Sequence, residues 1–127
     1  MMTTASTGRI TTHVLDTSRG IPADGVPVAL YVLTWEVDRE IRTKIAESMT
    51  NLDGRLDTPL IGNGELSIGI YEIQFNVESY YAQRPLGEIA QTLWGVVPIR
   101  FTVSDATSHY HIPLLIAPGG YSTYRGS

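Results

Sequence analysis

The segment from His109 to Ser127 reads HYHIPLLIAPGGYSTYRGS, and its pattern decides the fold. Side chains alternate faces along a strand. Tyr110, Ile112, Leu114 and Ile116 fall on one face and form a continuous apolar stripe. His111, Pro113 and Leu115 fall on the other. The pattern predicts a strand whose stripe lines a core and whose outer face sets a histidine among apolar neighbours. The Pro-Gly-Gly turn that follows leads into YSTYRGS, read as a last strand. His109, at the turn exit, reads as structural, with core-side parity, capping the strand or supporting His111.

Earlier segments repeat this alternation. RITTHVLD, Arg9 to Asp16, sets Ile10 and Val14 on one face and Thr11, His13 and Leu15 on the other. A loop with turn chemistry at Gly20, Pro22 and Asp24-Gly25 follows. Val26 to Val37 is apolar on both faces and predicts a central strand buried on both sides. Glu40 to Thr50 admits a helix by composition, but its charges suit a solvated or edge strand better. Asp53-Gly54 is a hairpin signal, with Arg55 displayed at the turn exit. Ile70 to Val77 is a half-buried strand with Tyr71, Ile73, Phe75 and Val77 on one face. Glu78 to Gln83 predicts a short helix that stops before Pro85. RPLGEIAQTLWG reads as a loop with at most a helical turn. Val96 to Ser104 turns Val97, Ile99, Phe101 and Val103 inward. Seven or eight short strands with turns between them and one short helix predict an all-β sandwich of two antiparallel, roughly four-stranded sheets.

Composition bounds the function. The 127 residues suit a single domain over 9–127, preceded by a flexible tail over 1–8. A net charge of −4 provides no basic footprint for nucleic acid or acidic lipid. With no cysteine in the chain, thiol nucleophiles and cysteine-bound metals are excluded. No apolar leader or run of transmembrane length is read, so a cytoplasmic protein is expected.

THVLDTSRGIPADGVPV, TNLDGRL and the closing HYHIPLLIAPGGYSTYRGS together resemble the 5-hydroxyisourate hydrolases, the enzymatic relatives of transthyretin. The resemblance runs from about Arg9 to Ser127, and the terminal YRGS is its most specific motif. It departs from the family over 84–96, where TLWGVVP replaces a Phe-Phe-Pro-like stretch. Carrier members of the fold have a lysine in place of His13, a glutamate in place of Arg55 and a threonine in place of His111, and their chain runs on past the YRGS equivalent. The resemblance implies a transthyretin-like sandwich with His13, Arg55 and His111 as catalytic residues. It also implies substrate binding by Tyr124, Arg125, Gly126 and Ser127. It further implies a homotetramer with sites in the channel between dimers, on an outer face that also carries Leu15, Pro113 and Leu115.

Hydrolysis of 5-hydroxyisourate to 2-oxo-4-hydroxy-4-carboxy-5-ureidoimidazoline opens a ring at an amide-type C–N bond. It needs an activated water, a stabilised oxyanion and a protonated leaving nitrogen. Neutral imidazoles can take a proton from water near pH 7, and a permanently charged guanidinium suits the oxyanion. The residue types leave open which histidine is the base. Direct attack by water is expected, with no cofactor. No metal is expected either, because Arg55 would repel a cation and no carboxylate motif at metal spacing accompanies the histidines. The alternative is a transthyretin-like carrier for a small aromatic ligand.

Overall fold

The computed structural model describes residues 7–84 and 92–127. Two four-stranded sheets pack face to face. The chain contributes β1 (Arg9–Asp16), β2 (Ile21–Pro22), β3 (Pro27–Glu36), β4 (Arg39–Met49), β5 (Gly69–Asn76), α1 (Val77–Ala82), β6 (Val96–Val103), β7 (His109–Ala117) and β8 (Gly120–Thr123). The sheet orders are β2-β1-β7-β8 and β4-β3-β5-β6. Thus the all-β sandwich of two four-stranded sheets with one short helix, expected from the sequence, is the observed fold.

The alternation of β1 and β7 places the core. Ile10 and Val14 of β1 and Tyr110, Ile112, Leu114 and Ile116 of β7 are buried. They pack with Val28 and Leu30 of β3, Tyr71, Ile73 and Phe75 of β5, and Val97 and Val103 of β6 in one cluster. Fully burying each large aliphatic or aromatic side chain contributes roughly 1.5–3 kcal/mol. One feature differs from two purely antiparallel sheets: β1 and β7 run parallel, in register from Arg9 opposite His109 to Asp16 opposite Ile116. The other ladders are antiparallel.

Several expectations are corrected. The loop after Asp16 contains β2, which pairs with Leu15 and Asp16. β3 is central but not buried on both sides throughout. Its pairing with β5 ends at Leu33 opposite Ile70, so Thr34 to Glu36 pair with β4 alone. Trp35 on this overhang is 47% exposed. The overhang closes at Val37, whose φ is 57°. β4 is an exposed edge strand, as its charges suggested. Its register with β3 shifts between Leu30 and Tyr31, where Ile45 has no partner. A charged, irregular edge resists pairing with further chains. YSTYRGS holds its ladder only to Thr123, and Gly126 then returns as a single bridge to His111. Thr7 and Gly8, assigned to the tail by sequence, are bonded to the turn before β7, through Thr7 Oγ1 to Thr107 O at 3.1 Å and Gly8 N to Ala106 O at 3.1 Å. The rest of that tail, and most of the loop between α1 and β6, lie outside the described residues.

A carboxyl group at the end of β1 ties α1 to the first sheet. Asp16 is fully buried. Its Oδ2 accepts from the Tyr80 hydroxyl at 2.8 Å, and its Oδ1 accepts from Tyr81 at 3.3 Å and from Ser18 Oγ at 2.6 Å. Burial, reinforced by the neighbouring Asp16, pushes both tyrosine hydroxyls up to about 12. The helix is positioned from its start by Asn76, whose Oδ1 caps Ser79 N at 3.0 Å. Replacing Asp16 by alanine removes the carboxyl partner of two buried hydroxyls, and a hydrogen bond to an ionisable partner contributes roughly 1.5–3 kcal/mol. Asp16→Ala is therefore expected to lower unfolding free energy by about 3 kcal/mol, and Tyr81→Phe, which loses only the longer bond, by about 1 kcal/mol. Urea titrations at fixed protein concentration measure both; equal losses would show that the shorter Tyr80 bond is not the dominant tie.

Candidate active site

The parallel register of β1 and β7 brings the outward residues together. Thr11 lies opposite His111 and His13 opposite Pro113, on the sheet face away from the core. His111 and His13 are therefore diagonal neighbours, both half-buried. His109 shares this face with His111, two residues along the same strand, so its core-side assignment is wrong. Residues of equal parity cannot face opposite ways in an unbroken strand. The two rings lie 6.0 Å apart between centroids.

Arg55 reaches the face through the turn at 51–55. Gly54 has φ 75°, and a Cβ there would collide with the Val14 carbonyl, so the position requires glycine for both reasons. The Asp-Gly turn is present as expected, but it does not close a hairpin between adjacent strands. It folds onto β1 instead: the Val14 N–H donates to Gly54 O at 2.8 Å, and Arg55 forms a bridge with His13. Asn51 holds the turn, its Oδ1 accepting from Asp53 N at 2.9 Å and Arg55 N at 3.2 Å.

The tail closes the other side. Gly126 N donates to His111 O at 2.8 Å, and a Cβ at Gly126 would collide with the His111 ring. The glycine of the tail is thus set by how closely its backbone lies on the imidazole. It also lies against Pro113, which is buried within the chain rather than left on an open apolar face. Leu15 and Leu115 remain half-buried there. A cleft of about 250 Å³ opens beside the tail, walled by Thr11, Arg55, Asp57, His109, His111 and Ser127 among others. Tyr124 and Arg125 are not among its walls. The Arg125 guanidinium stacks on the Tyr110 ring at 4.6 Å, and its Nη2 donates to His109 O at 3.4 Å, so it braces the tail against β7. His13 does not wall the cleft either; its ring turns to the 51–55 turn. A larger groove of about 560 Å³ on the other sheet, between β3, β4, β5 and the start of β6, has Glu47 as its one ionisable lining residue. Its lining provides no acid–base pair.

The hydrogen bonds constrain the imidazoles. His13 Nε2 lies 3.0 Å from Asp53 O. A carbonyl only accepts, so Nε2 carries the proton and Nδ1 of neutral His13 is the free base. His111 Nδ1 lies 2.7 Å from Thr11 Oγ1, which leaves Nε2 as the nitrogen available to the cleft. Burial, then the Arg55 charge, lower the pKa of His13 below the ordinary imidazole value, against an opposing pull from Asp53. Burial lowers His111 as well, reinforced by Arg55, His109 and His13. Both rings are therefore neutral at pH 7, the form that can accept a proton from water. Sequence reading missed Thr11 and His109. The signal for His109 was available in its parity with His111; that for Thr11 lay in a strand register that no local pattern reveals.

Comparison with known proteins places this geometry. The profile of the HIUase/Transthyretin family matches residues 10–126. The 5-hydroxyisourate hydrolase of Halalkalibacterium halodurans is 48% identical over 120 residues, covering 94% of this chain and 98% of that one. The structure of Klebsiella pneumoniae 5-hydroxyisourate hydrolase is 34% identical with a TM-score of 0.72, covering 94% of this chain and 99% of that one. An (S)-allantoin synthase is 36% identical with a TM-score of 0.83; it covers all of this chain, which spans 46% of that longer chain. Sea bream transthyretin in complex with thyroxine superposes with a TM-score of 0.80 at 23% identity, over 93% of this chain and 94% of that one. Backbone geometry matches carrier and hydrolase alike, so the two are separated by side chains and not by fold.

Arg55 depresses both histidines by charge repulsion, so removing that charge favours the imidazolium. Arg55→Gln is expected to raise the NMR titration midpoints of His13 and His111, with burial keeping both below about 6.5, the ordinary value. Midpoints unchanged by the substitution would show that Arg55 is electrostatically remote from the rings.

Proposed function

The chain belongs to the HIUase/transthyretin family, and we propose that it is a hydrolase that opens 5-hydroxyisourate to 2-oxo-4-hydroxy-4-carboxy-5-ureidoimidazoline. The observation that carries this reading is the meeting of two imidazoles and a guanidinium on one sheet face. His13 is bridged to Arg55, beside a cleft walled by Arg55 and His111.

Each group has a part. Water attacks the carbonyl of the scissile C–N bond and gives up a proton to a neutral imidazole. Nε2 of His111 and Nδ1 of His13 are the nitrogens able to take it. The Arg55 guanidinium holds the carbonyl oxygen and the negative charge that develops on it. The leaving ring nitrogen receives a proton from the histidine that took one from water. Ser127, at the cleft wall, holds substrate heteroatoms through its hydroxyl and main-chain groups. Gly126 supports binding by giving the tail its close approach to His111. Arg125 takes part by fixing the tail, a role that its stacking on Tyr110 supports. The functional unit is a homotetramer whose sites lie between dimers, where a second copy would cover the half-buried Leu15 and Leu115 and close the open side of the cleft.

The carrier reading conflicts with the same positions. A channel that only holds an aromatic ligand needs no neutral base and no cation placed to meet an oxyanion.

His13→Ala and His111→Ala are each expected to slow turnover roughly 10²–10⁴-fold, the usual contribution of a placed acid or base. Arg55→Glu, which installs the carrier-type residue, is expected to abolish turnover. Ultraviolet decay of 5-hydroxyisourate, generated in place from urate by urate oxidase, gives the rates, and sedimentation confirms folding and assembly. Wild-type rates in both histidine variants would remove them from the chemistry.

A further inference from the structure

Beyond the two histidines and the arginine, the same face holds a polar chain with no part in the mechanism so far. Thr11 Oγ1 lies 2.7 Å from His109 Nε2 and 2.7 Å from His111 Nδ1. Thr11 projects from β1 between two histidines of β7, and its β-branched side chain has few rotamers. All three residues wall the cleft.

A hydroxyl has one proton and two ring nitrogens to satisfy. The two nitrogens cannot both accept from it, and where the hydroxyl proton is used one nitrogen donates to the oxygen while the other accepts from it. The tautomers of His109 and His111 are therefore coupled through Thr11. If His111 carries its proton on Nδ1 and donates it to Thr11, the threonine proton goes to His109 Nε2. Nε2 of His111 is then an unprotonated base facing the cleft. In the opposite arrangement Thr11 donates to Nδ1, Nε2 of His111 is protonated, and the ring cannot accept a proton from water.

We propose that Thr11 and His109 are positioning residues that set the tautomer of His111 and carry its proton to and from solvent. The inference rests on the hydrolytic reading above. In the base step the O–H bond of the attacking water breaks and an N–H bond forms at His111 Nε2. The proton on His111 Nδ1 passes to Thr11 Oγ1, the Thr11 proton passes to His109 Nε2, and His109 releases a proton from Nδ1 to solvent. In the acid step His111 Nε2–H protonates the leaving nitrogen and the chain runs in reverse. No charge needs to stay on the half-buried ring.

The surroundings favour this arrangement. His109 is exposed, as the outer end of such a chain must be. The cations near the rings are Arg55 from the turn, Arg9 on β1 and Arg125 from the tail, and His13 adds a further ring on β1. Two carboxyl groups lie nearby in the turn: Asp57, whose Oδ1 accepts from Asn51 Nδ2 at 3.0 Å, and Asp53, whose charge pulls against Arg55 at His13 while its main-chain carbonyl meets the His13 ring. Burial and Arg9 lower the pKa of His109, so it starts neutral and able to accept.

Thr11→Val keeps the shape and removes the hydroxyl; Thr11→Ser keeps the hydroxyl. His109→Gln can share a hydrogen bond with Thr11 but cannot carry a proton. Thr11→Val is expected to lower kcat about 10- to 100-fold with KM little changed, short of the loss of the base itself. Its His111 ¹⁵N shifts should move from the Nδ1–H to the Nε2–H tautomer. Thr11→Ser should restore both rate and tautomer. His109→Gln should keep the tautomer, lower kcat and alter the pH profile. Wild-type kcat and tautomer in Thr11→Val would overturn the proposal, as would equal losses in the valine and serine variants. A wild-type protein that fails to accelerate 5-hydroxyisourate decay would instead overturn the hydrolytic reading, and the relay's proton-carrying role with it.

Discussion

Everything at the candidate site depends on the parallel, in-register pairing of β1 with β7. Parallel strands in register show matching parities side by side, so the outward residues of one strand face the same way as those of the other. With Arg9 set opposite His109, Thr11 opposite His111 and His13 opposite Pro113, five polar side chains from two distant segments share one face. A shift of one residue would send His13 into the core and Val14 into the cleft. The cost of burying a histidine unpaired and of exposing core valine and isoleucine protects the register. Stability of the sandwich and geometry of the site are thus set by the same ladder.

Two irregular segments then complete what the ladder begins. The 51–55 turn and the chain terminus are not strands, yet each is pinned to the sheet by a single bridge, Arg55 to His13 and Gly126 to His111. In each, a glycine permits an approach that a Cβ would block. The result is an electropositive pocket edge formed from three separate parts of the chain. Burial first, and then this charge, lower the pKa of the imidazoles and so favour the neutral form that a base requires, and the charge favours negative charge on a bound oxygen.

The sequence made the outward placement of His13 and His111 legible because alternation is a local property, readable from eight residues. The edge character of β4 was legible for the same reason. What was not legible required knowledge of neighbours. Alternation says which face a residue takes but not which strand lies beside it or in which direction, so the parallel pairing and the Thr11 contact were hidden. Trp35 looked buried because its segment is apolar, whereas its exposure follows from where β5 stops pairing. The Asp53-Gly54 pair signalled a turn correctly, but not that the turn would fold onto β1. His109 is a different case: its parity was on the page and was misassigned. The bracing of the tail by Arg125 also depends on a long-range fact, the stacking of its guanidinium on Tyr110.

The most direct measurement is the initial rate of 5-hydroxyisourate decay with the wild-type protein, compared with the spontaneous decay in buffer. Acceleration that is proportional to protein concentration and declines at acid pH, as neutral imidazoles become protonated, is the expected result. A decay rate equal to the buffer control, from a folded and assembled protein, would contradict the hydrolytic assignment and leave the carrier reading in its place.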